Sequence, residues 1–486
     1  MLLALMAAGA QTATASDFIV DGIDYNISSA DDKTVIVTWS SSKYTGDIVI
    51  PETVSFDGVT YKVVGIGDFA FLQEDITSIK LPESITSIGT GAFGYVPQLT
   101  SVDLPDGVKS IGNGCFSGCA KLEKANIPSS LESMGMAMFA GTLITSAVIP
   151  VGINEVPAQT FELCAALEKV TLHEGITSFG FQAFQNTRSL SEITLPSTLE
   201  TIGNNCFAFS GLTSMHIPAA LKSYGDNAIT NMSSLTEYTV DPANNYFTAV
   251  DGVLYSKDLK TLQSFPLNCG LDTYTVNSAT DSIADYAFYG NKLNSIRFPE
   301  DLHAIGKSAF ATSVSITTLT IPDKVTVMGP FSIWGCAALK EIELGASLRT
   351  IGSSAFDYTD NLMSVRSRNT VPPTGASFTQ VTYTNGTLSV PADAIDDYKS
   401  ATGWSEFNNV KSIDNSSVGL VQLEKPEIRM TGNTIEVKCS PDTQVEIWGL
   451  DGVCIHRGIG NTSREVESGK IYVVRAGATI SKVSAF

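Results

Sequence analysis

The chain has 486 residues, of which 43% are apolar and only 16% are charged, and its formal net charge is −20. So high an apolar content excludes an intrinsically disordered chain. The acidic balance argues against nucleic acid as a partner and against electrostatic docking to anionic lipid, because both need a basic surface. The length exceeds that of one ordinary domain, which predicts either several domains or one long repeat array.

Residues 1–15 are predicted to form a secretory signal peptide. An apolar run over residues 2–10 precedes Ala13-Thr14-Ala15, which has the pattern of a cleavage site before Ser16. The alternative is an apolar tail that is not removed. The run is shorter than the roughly 20 apolar residues that a membrane-spanning helix needs, and we expect no transmembrane span in the mature chain. The protein is therefore expected to be exported.

Residues 16–62 are predicted to form a β-rich N-terminal cap. Alternating apolar residues at 34–39 and 47–50 indicate two strands, and Asp57-Gly58 is a hairpin signal between two more. A repeat array needs an end of this kind, because its first coil has no neighbour to cover it.

A repeat of 22 or 23 residues dominates residues 63–411, where two sets of apolar anchors recur in phase. The first set is Phe71, Phe93, Phe116, Phe139, Phe161, Phe184, Phe207, Ile229, Phe288, Phe310, Ile333 and Phe356. The second set is Leu81, Leu104, Ile127, Ile149, Leu172, Leu195, Ile217, Val240, Val276, Phe298, Ile321 and Leu344. A fixed period over this length predicts a solenoid.

Each repeat is predicted to contain two short strands and a turn. In one unit Val102-Asp103-Leu104 alternates as a strand does, and Pro105 ends that strand because it lacks a backbone N–H. Gly112 is expected to permit a turn, followed by a turn or short helical segment at 114–116. One unit cannot bury its apolar face alone. We therefore predict about thirteen coils stacked as a β-rich, right-handed leucine-rich-repeat solenoid.

One repeat is longer than the others. The step from Val240 to Val276 is 36 residues, and it contains Asp251-Gly252 between two alternating segments. This pair is a strong signal for a tight hairpin turn. We predict a β-hairpin insert near residues 241–266 that projects from the solenoid.

The C-terminal part departs from the repeat. Val371-Pro372-Pro373 breaks the period, and a strand at 388–390 with a short helix at 398–404 is predicted to cap the stack. Residues 412–419 are predicted to be a linker because they are rich in Asn, Ser and Gly. Residues 420–486 contain short alternating segments and turn signals, which predict a small all-β, sandwich-like module.

The repeat pattern resembles that of the BspA-like leucine-rich-repeat surface proteins of Bacteroidetes. The residues that carry the resemblance run from Leu99-Thr100-Ser101-Val102-Asp103-Leu104-Pro105 to Cys119, together with Val250-Asp251-Gly252-Val253-Leu254-Tyr255. The likeness covers roughly residues 17–411. It implies a solenoid that is exported or displayed on the outer cell surface, or held in the periplasm, of a Gram-negative bacterium. Some members of this family are adhesins.

The chain contains 8 cysteines, which in an exported protein suggests disulfides. Five of them, however, occupy repeat positions, and we predict that these are small core residues: Cys115, Cys119, Cys164, Cys206 and Cys336. Cys439 and Cys454 flank a predicted strand, so they either pair across a hairpin or stay free.

We find no residue pattern that indicates an enzyme. The sequence has no G-x-S-x-G, H-E-x-x-H or CxxC motif, and only four histidines. Its many glycines fall at the same phase of the repeat, which makes them structural residues. We expect no catalytic activity, no cofactor and no metal site.

The outward positions of the first strand form the predicted ligand-binding surface, which we call the strand face. It comprises Lys80, Asp103, Asn126, Thr171, Thr194, His216, Thr239, Thr275, Arg297, Thr320 and Glu343. Tyr246, Phe247 and Tyr255 of the hairpin form a second candidate surface. In both cases the alternative is a structural role: solvated strand residues on the face, and aromatic packing in the hairpin.

These features predict an exported binding protein, an adhesin-like platform for protein–protein interaction. The expected partner is a host matrix protein, a bacterial surface protein or a glycan, and the protein is expected to be a monomer. Two alternatives stay open: a glycan-binding or accessory protein in polysaccharide use, and a structural scaffold of the cell envelope.

Overall fold

The computed structural model describes residues 15–413, 426–431, 433–439, 443–450, 454–477 and 479–484. The chain forms two compact units, one that ends at Ser412 and one that starts at Ile413. The predicted signal peptide lies outside the described residues except for its last residue, and so does the predicted linker after residue 413.

The N-terminal cap forms the start of the stack. Its strands are β1 (Phe18–Val20), β2 (Ile23–Ser29), β3 (Thr34–Val37), β4 (Thr45–Val49), β5 (Thr53–Phe56) and β6 (Val59–Ile66). β6 pairs antiparallel with β5 and parallel with β3, so the cap passes directly into the first repeat.

The first half of the solenoid repeats two short strands. They are β7 (Asp75–Lys80), β8 (Ser87–Ile88), β9 (Ser101–Val102), β10 (Ser110–Ile111), β11 (Lys124–Ala125), β12 (Ser133–Met134), β13 (Ser146–Val148), β14 (Glu155–Val156), β15 (Lys169–Thr171), β16 (Ser178–Phe179), β17 (Thr201–Ile202), β18 (Ser214–Ile217), β19 (Ser223–Tyr224) and β20 (Glu237–Val240).

The insert and the second half follow. The insert contains β21 (Phe247–Val250), β22 (Val253–Ser256) and β23 (Thr261–Ser264). The second half contains β24 (Thr273–Thr275), β25 (Ser282–Ile283), β26 (Ser295–Arg297), β27 (Ala304–Ile305), β28 (Thr318–Thr320), β29 (Val327–Met328), β30 (Glu341–Leu344), β31 (Thr350–Ile351) and β32 (Ser364–Ser367). Together these coils form a β-solenoid with repeats of about 23 residues, as the periodicity predicts, but it has about 15 turns where about thirteen were expected.

The C-terminal cap is larger than predicted. It contains α1 (Gln380–Asn385), β33 (Thr387–Val390), a 3-10 turn (Ala392–Ala394), α2 (Ile395–Ser400) and β34 (Asn409–Ser412). The helix α1 and the final strand β34 were not predicted. Trp404 is fully buried and donates its indole N–H to the Pro373 carbonyl at 2.8 Å, which attaches the cap to the last coil.

The second unit is a small all-β module with two sheets. Its strands are β35 (Glu427–Thr431), β36 (Thr434–Lys438), β37 (Gln444–Gly449), β38 (Cys454–Ile459), β39 (Thr462–Glu465), β40 (Ile471–Ala476) and β41 (Thr479–Ser484). The sheet orders are β35-β36-β39 and β38-β37-β40-β41. Ile435 of the first sheet and Val445 and Val474 of the second are buried in one core. Two sheets that share a core agree with a sandwich-like module.

The anchor phenylalanines form a column through the solenoid core. Phe93 and Phe116 stack at 5.3 Å between ring centroids with 3° between the ring planes, and both are fully buried. Equivalent stacks continue from coil to coil up to Phe207. The spacing is close to the distance of about 4.8 Å between paired strands, because each ring belongs to one coil.

Left-handed backbone flanks every anchor, where the sequence suggested a turn or short helix. The residues two before and two after each of the twelve anchors have φ between 50° and 74°, among them Gly114, Gly118, Thr312 and Tyr358. This backbone conformation on both sides of the anchor lets each coil hydrogen-bond to the next: the Phe93 N–H donates to the Cys115 carbonyl at 2.9 Å. The first strands and the second strands supply two sets of bonds between coils, and we call this third set the turn ladder.

Gly112 has a role other than the predicted one. Its φ is not left-handed. A Cβ added to it would lie 2.4 Å from the backbone nitrogen of Thr90 in the preceding coil. Glycine is needed here because two coils approach closely, rather than because the chain turns.

The insert does not project from the solenoid as predicted. Its hairpin has the expected turn, with Val250 opposite Val253. The chain then continues into β23, which pairs with β25 and joins the ladder of second strands. Phe265 directly follows β23 and stacks on Phe288 at 5.1 Å, so it is the anchor of the expanded repeat. The insert is therefore one coil of the stack with a hairpin built into it.

The candidate ligand-binding surface

The residues of the strand face point to solvent, because they alternate with core residues along the first strand. Val170 is buried and Thr171 is exposed, and Met215 and His216 repeat this pattern. Ten of the eleven residues are exposed, and Glu343 is half-buried. The arrangement brings the predicted residues to one side of the solenoid.

The strand face is not a continuous sheet. The first strands pair only in short groups: β4-β7, β9-β11, β13-β15, β18-β20, β24-β26 and β28-β30-β32-β33-β34. Thr194 lies in a coil whose residues 191–196 form no strand. The second strands form longer ladders, such as β14-β16-β17-β19. The predicted flat surface is therefore a row of short sheets.

The side chains of four strand-face residues make contacts between coils: Asn126, His216, Thr239 and Glu343. The Asn126 amide accepts from the Leu104 N–H at 2.6 Å and donates to the Leu104 carbonyl at 2.7 Å, so it replaces a backbone pair. A ring nitrogen of His216 lies 2.9 Å from the Thr239 hydroxyl. Glu343 pairs with Arg368 at 3.0 Å. Asn126 is thus a structural residue, and the others remain accessible from solvent.

The hairpin aromatics do not form a common surface. Tyr246 is 47% exposed, but Phe247 is 6% exposed and Tyr255 is fully buried. The Tyr255 hydroxyl shares a hydrogen bond of 2.6 Å with that of the half-buried Tyr274. Phe247 and Tyr255 are therefore wrong as ligand-contacting candidates, because packing of the hairpin onto the coils buries them.

A groove lies where the strand face meets the insert. It has a volume of about 350 Å³ and is lined by residues 237–242 of β20 and the following loop, residues 247–249 of β21, Gly252 and Lys257. Thr239 is the strand-face residue in its wall. The lengthened step from Val240 to Val276 indicated an insert here, but a groove depends on how the hairpin folds back, which periodicity does not describe.

The core cysteines are buried and unreactive. All eight cysteines fall within the described residues, and all are free, including Cys439 and Cys454. Burial raises the pKa of the Cys119 thiol to about 12 and that of Cys164 to about 11. The Cys119 thiol donates to the Phe93 carbonyl of the preceding coil at 3.0 Å. The five cysteines at repeat positions are core residues, as predicted, and Cys164 and Cys336 donate to carbonyls in the same way as Cys119.

The part of the chain that the structure describes contains no group of three His, Cys, Asp or Glu side chains that could hold a metal ion. Within the same residues, no helix has the length and apolar character needed to cross a membrane.

Comparison with known proteins gives a family match over most of the solenoid. The model of the BspA type leucine rich repeat region matches residues 64–179, 154–267 and 263–377. No curated protein matches the chain.

Solved structures that are similar to this chain come from several bacteria. A leucine rich cell surface protein from Faecalibacterium prausnitzii A2-165 is 23% identical, with a TM-score of 0.55, and the alignment covers 72% of this chain and 94% of that one. A leucine-rich repeat protein from Bacteroides ovatus ATCC 8483 is 24% identical with a TM-score of 0.49, covering 82% and 100%. The pneumococcal vaccine antigen PcpA is 20% identical with a TM-score of 0.49, covering 82% and 100%. The Faecalibacterium structure supports the leucine-rich-repeat solenoid fold of this chain.

Proposed function

The chain belongs to the BspA-type leucine-rich-repeat family, and from this premise we propose that it is an exported surface protein that binds other proteins through its strand face. The observation that carries the proposal is the strand face itself: ten exposed polar side chains along one side of a long array. The similar structure from Faecalibacterium is described as a cell surface protein.

The geometry of the strand face suits a macromolecular ligand. Short sheets repeat along the solenoid, and their polar side chains are separated by the coil spacing of about 4.8 Å. The core beneath them is packed, with Val102 and Val170 almost completely buried, so the side chains are held on a firm base. An extended array of this kind binds a partner through many contacts, of which a few contribute most of the free energy.

Direct binding experiments test this proposal. The full chain is titrated against a panel of extracellular-matrix proteins, mucin and whole bacterial cells, with a micromolar dissociation constant expected for at least one. Glu is then introduced along the strand face, for example as Thr171→Glu with Thr320→Glu. We expect at least one such pair to weaken binding tenfold or more, because a buried interface does not accept an unpaired charge.

Matched controls carry the same charge elsewhere. Ser129→Glu and Ser278→Glu alter exposed residues outside the strand face, and they should leave the dissociation constant unchanged. If no member of the panel binds, or if the controls weaken binding as much as the strand-face variants, this function is wrong. Protease treatment of intact cells tests the location, because a surface protein is cleaved before the outer membrane is opened.

A second candidate function, glycan binding, is favoured by an aromatic group in the turns that flank the anchors Ile333 and Phe356. Phe331 and Tyr358 are 39% and 66% exposed, and the rings of Trp334 and Tyr358 meet edge to face at 5.2 Å. Phe331 and Tyr358 both have left-handed backbone, where bulky side chains carry strain. A glycan array separates the two functions: carbohydrate binding that Tyr358→Ala removes, with no protein ligand, supports the second.

A further inference from the structure

Three ladders of backbone hydrogen bonds join the coils, and all three are interrupted at the insert. In the first-strand ladder, β18 pairs with β20, and pairing resumes only between β24 and β26. In the second-strand ladder, β19 ends one sheet and β21 starts the next. In the turn ladder, the Phe207 N–H donates to the Ala228 carbonyl, and the bonds resume from Phe265 to Ala287.

The hydrophobic core is divided at the same place. β22 lies between two separate clusters of buried residues: Leu254 belongs to the N-terminal cluster, whereas Val253 and Tyr255 belong to the C-terminal one. The two sides of one strand thus face two different cores. The column of stacked rings is also interrupted here by Ile229, as it is by Ile333 in the second half, so the division of the core marks the boundary and the column does not.

Individual hydrogen bonds connect the two sides. The Tyr224 hydroxyl donates to the Gln263 amide oxygen at 2.7 Å, and the Tyr238 hydroxyl shares a bond of 2.7 Å with Ser264. The Asn268 N–H donates to the Leu235 carbonyl at 2.8 Å. Elsewhere the strand ladders also have gaps, such as those between β11 and β13 and between β12 and β14, but the turn ladder and the core continue across them. In a repeat protein, cooperativity depends on such coupling between neighbours.

We infer that the insert divides the solenoid into two cooperative units, residues 15–240 and 253–412, and that the junction between them opens before either stack unfolds. Local opening starts where coupling is weakest. The inference goes beyond the proposed function, since it concerns motion within the array. It also divides the strand face, because its first part ends at Thr239 and its second begins at Thr275.

Hydrogen exchange of the full chain, followed by mass spectrometry, tests this division. Phe116→Leu and Phe310→Leu are matched variants, because both rings are fully buried anchors of the column, one in each unit. Each should lower amide protection roughly tenfold throughout its own unit, since each leaves a poorly filled core. Neither should change protection in the other unit.

Two outcomes would overturn the inference. A fall in protection on both sides of the insert in either variant would mean that the solenoid is one cooperative unit. A fall confined to the coils next to the substituted residue would mean that no boundary lies at the insert.

A third variant removes a hydrogen bond that crosses the junction. Tyr238→Phe removes the hydroxyl that reaches Ser264 and the Ile229 carbonyl. It should speed exchange at least threefold in residues 226–252 and leave the flanking coils as they were. Unchanged exchange in residues 226–252 would contradict the role of this bond.

Discussion

The strand side of each coil, which carries the strand face, and its turn side, which carries the anchors and the turn ladder, differ in backbone conformation and packing. On the strand side, backbone is extended and the side chains alternate between core and solvent, so Ser and Thr are accepted almost anywhere. On the turn side, left-handed backbone brackets a buried ring, and the chain passes close to its neighbour. The strand side therefore tolerates change and can specialise for binding, whereas the turn side holds the coils together.

The largest difference between the two sides should come from removing an anchor ring. Phe116→Ala leaves a cavity between Phe93 and Phe139, and such truncations cost about 3–5 kcal/mol in the free energy of unfolding. Asp103→Ala on the strand face should cost within about 0.5 kcal/mol. Urea denaturation followed by circular dichroism measures both. Equal effects would erase the distinction between the sides.

The close approach of neighbouring coils gives the next effect. Gly112→Ala places a methyl group 2.4 Å from the Thr90 backbone nitrogen, so the coils must move apart. We expect a loss of about 2–3 kcal/mol. At Gly107 the added carbon would lie 3.3 Å from the Glu83 carbonyl, and Gly107→Ala should lose less than about 1 kcal/mol. The urea midpoints of the two variants compare them directly.

Loss of a threonine hydroxyl should also cost more stability on the turn side, where the hydroxyl is buried, than on the strand face. Thr142 is 1% exposed, and its hydroxyl donates to the Phe139 carbonyl at 2.8 Å. Thr142→Val leaves that carbonyl with one partner fewer, which should cost about 1–2 kcal/mol. Thr171→Val makes the same change on the strand face and should cost within about 0.5 kcal/mol. A thermal melt distinguishes them, and a larger loss at Thr171 would contradict this account.

The smallest effect should differ in sign between the two sides. Thr312 has a left-handed backbone with φ of 58°, so Thr312→Gly relieves strain and should add about 0.5 kcal/mol of stability. Thr320 lies in an extended strand, where Thr320→Gly should cost about 1 kcal/mol. Opposite shifts of the melting temperature are expected. Two shifts of the same sign would show that backbone conformation does not set the difference.

Much of the fold could be predicted from the period alone. The anchors predicted the core column, and the five cysteines at repeat positions were correctly predicted to be core residues. Phe265 was missed because the hairpin places it 36 residues after Ile229, although it lies one normal step of 23 residues before Phe288, on which it stacks. The strand face was predicted from alternation, but Asn126 could not be recognised as structural because its partner, Leu104, lies in another coil.

The sequence by itself determined the repeat, its inward and outward residues and the place of the insert, because these depend on neighbours along one coil. Only the tertiary structure decided which glycines separate close coils, which hairpin aromatics are buried and where the ladders between coils are interrupted. Those properties arise between residues about 22 positions apart, and a periodic sequence specifies that they are neighbours without specifying their contacts. The strand face, predicted as one flat surface, is therefore a row of short sheets, and the insert divides that row into two parts.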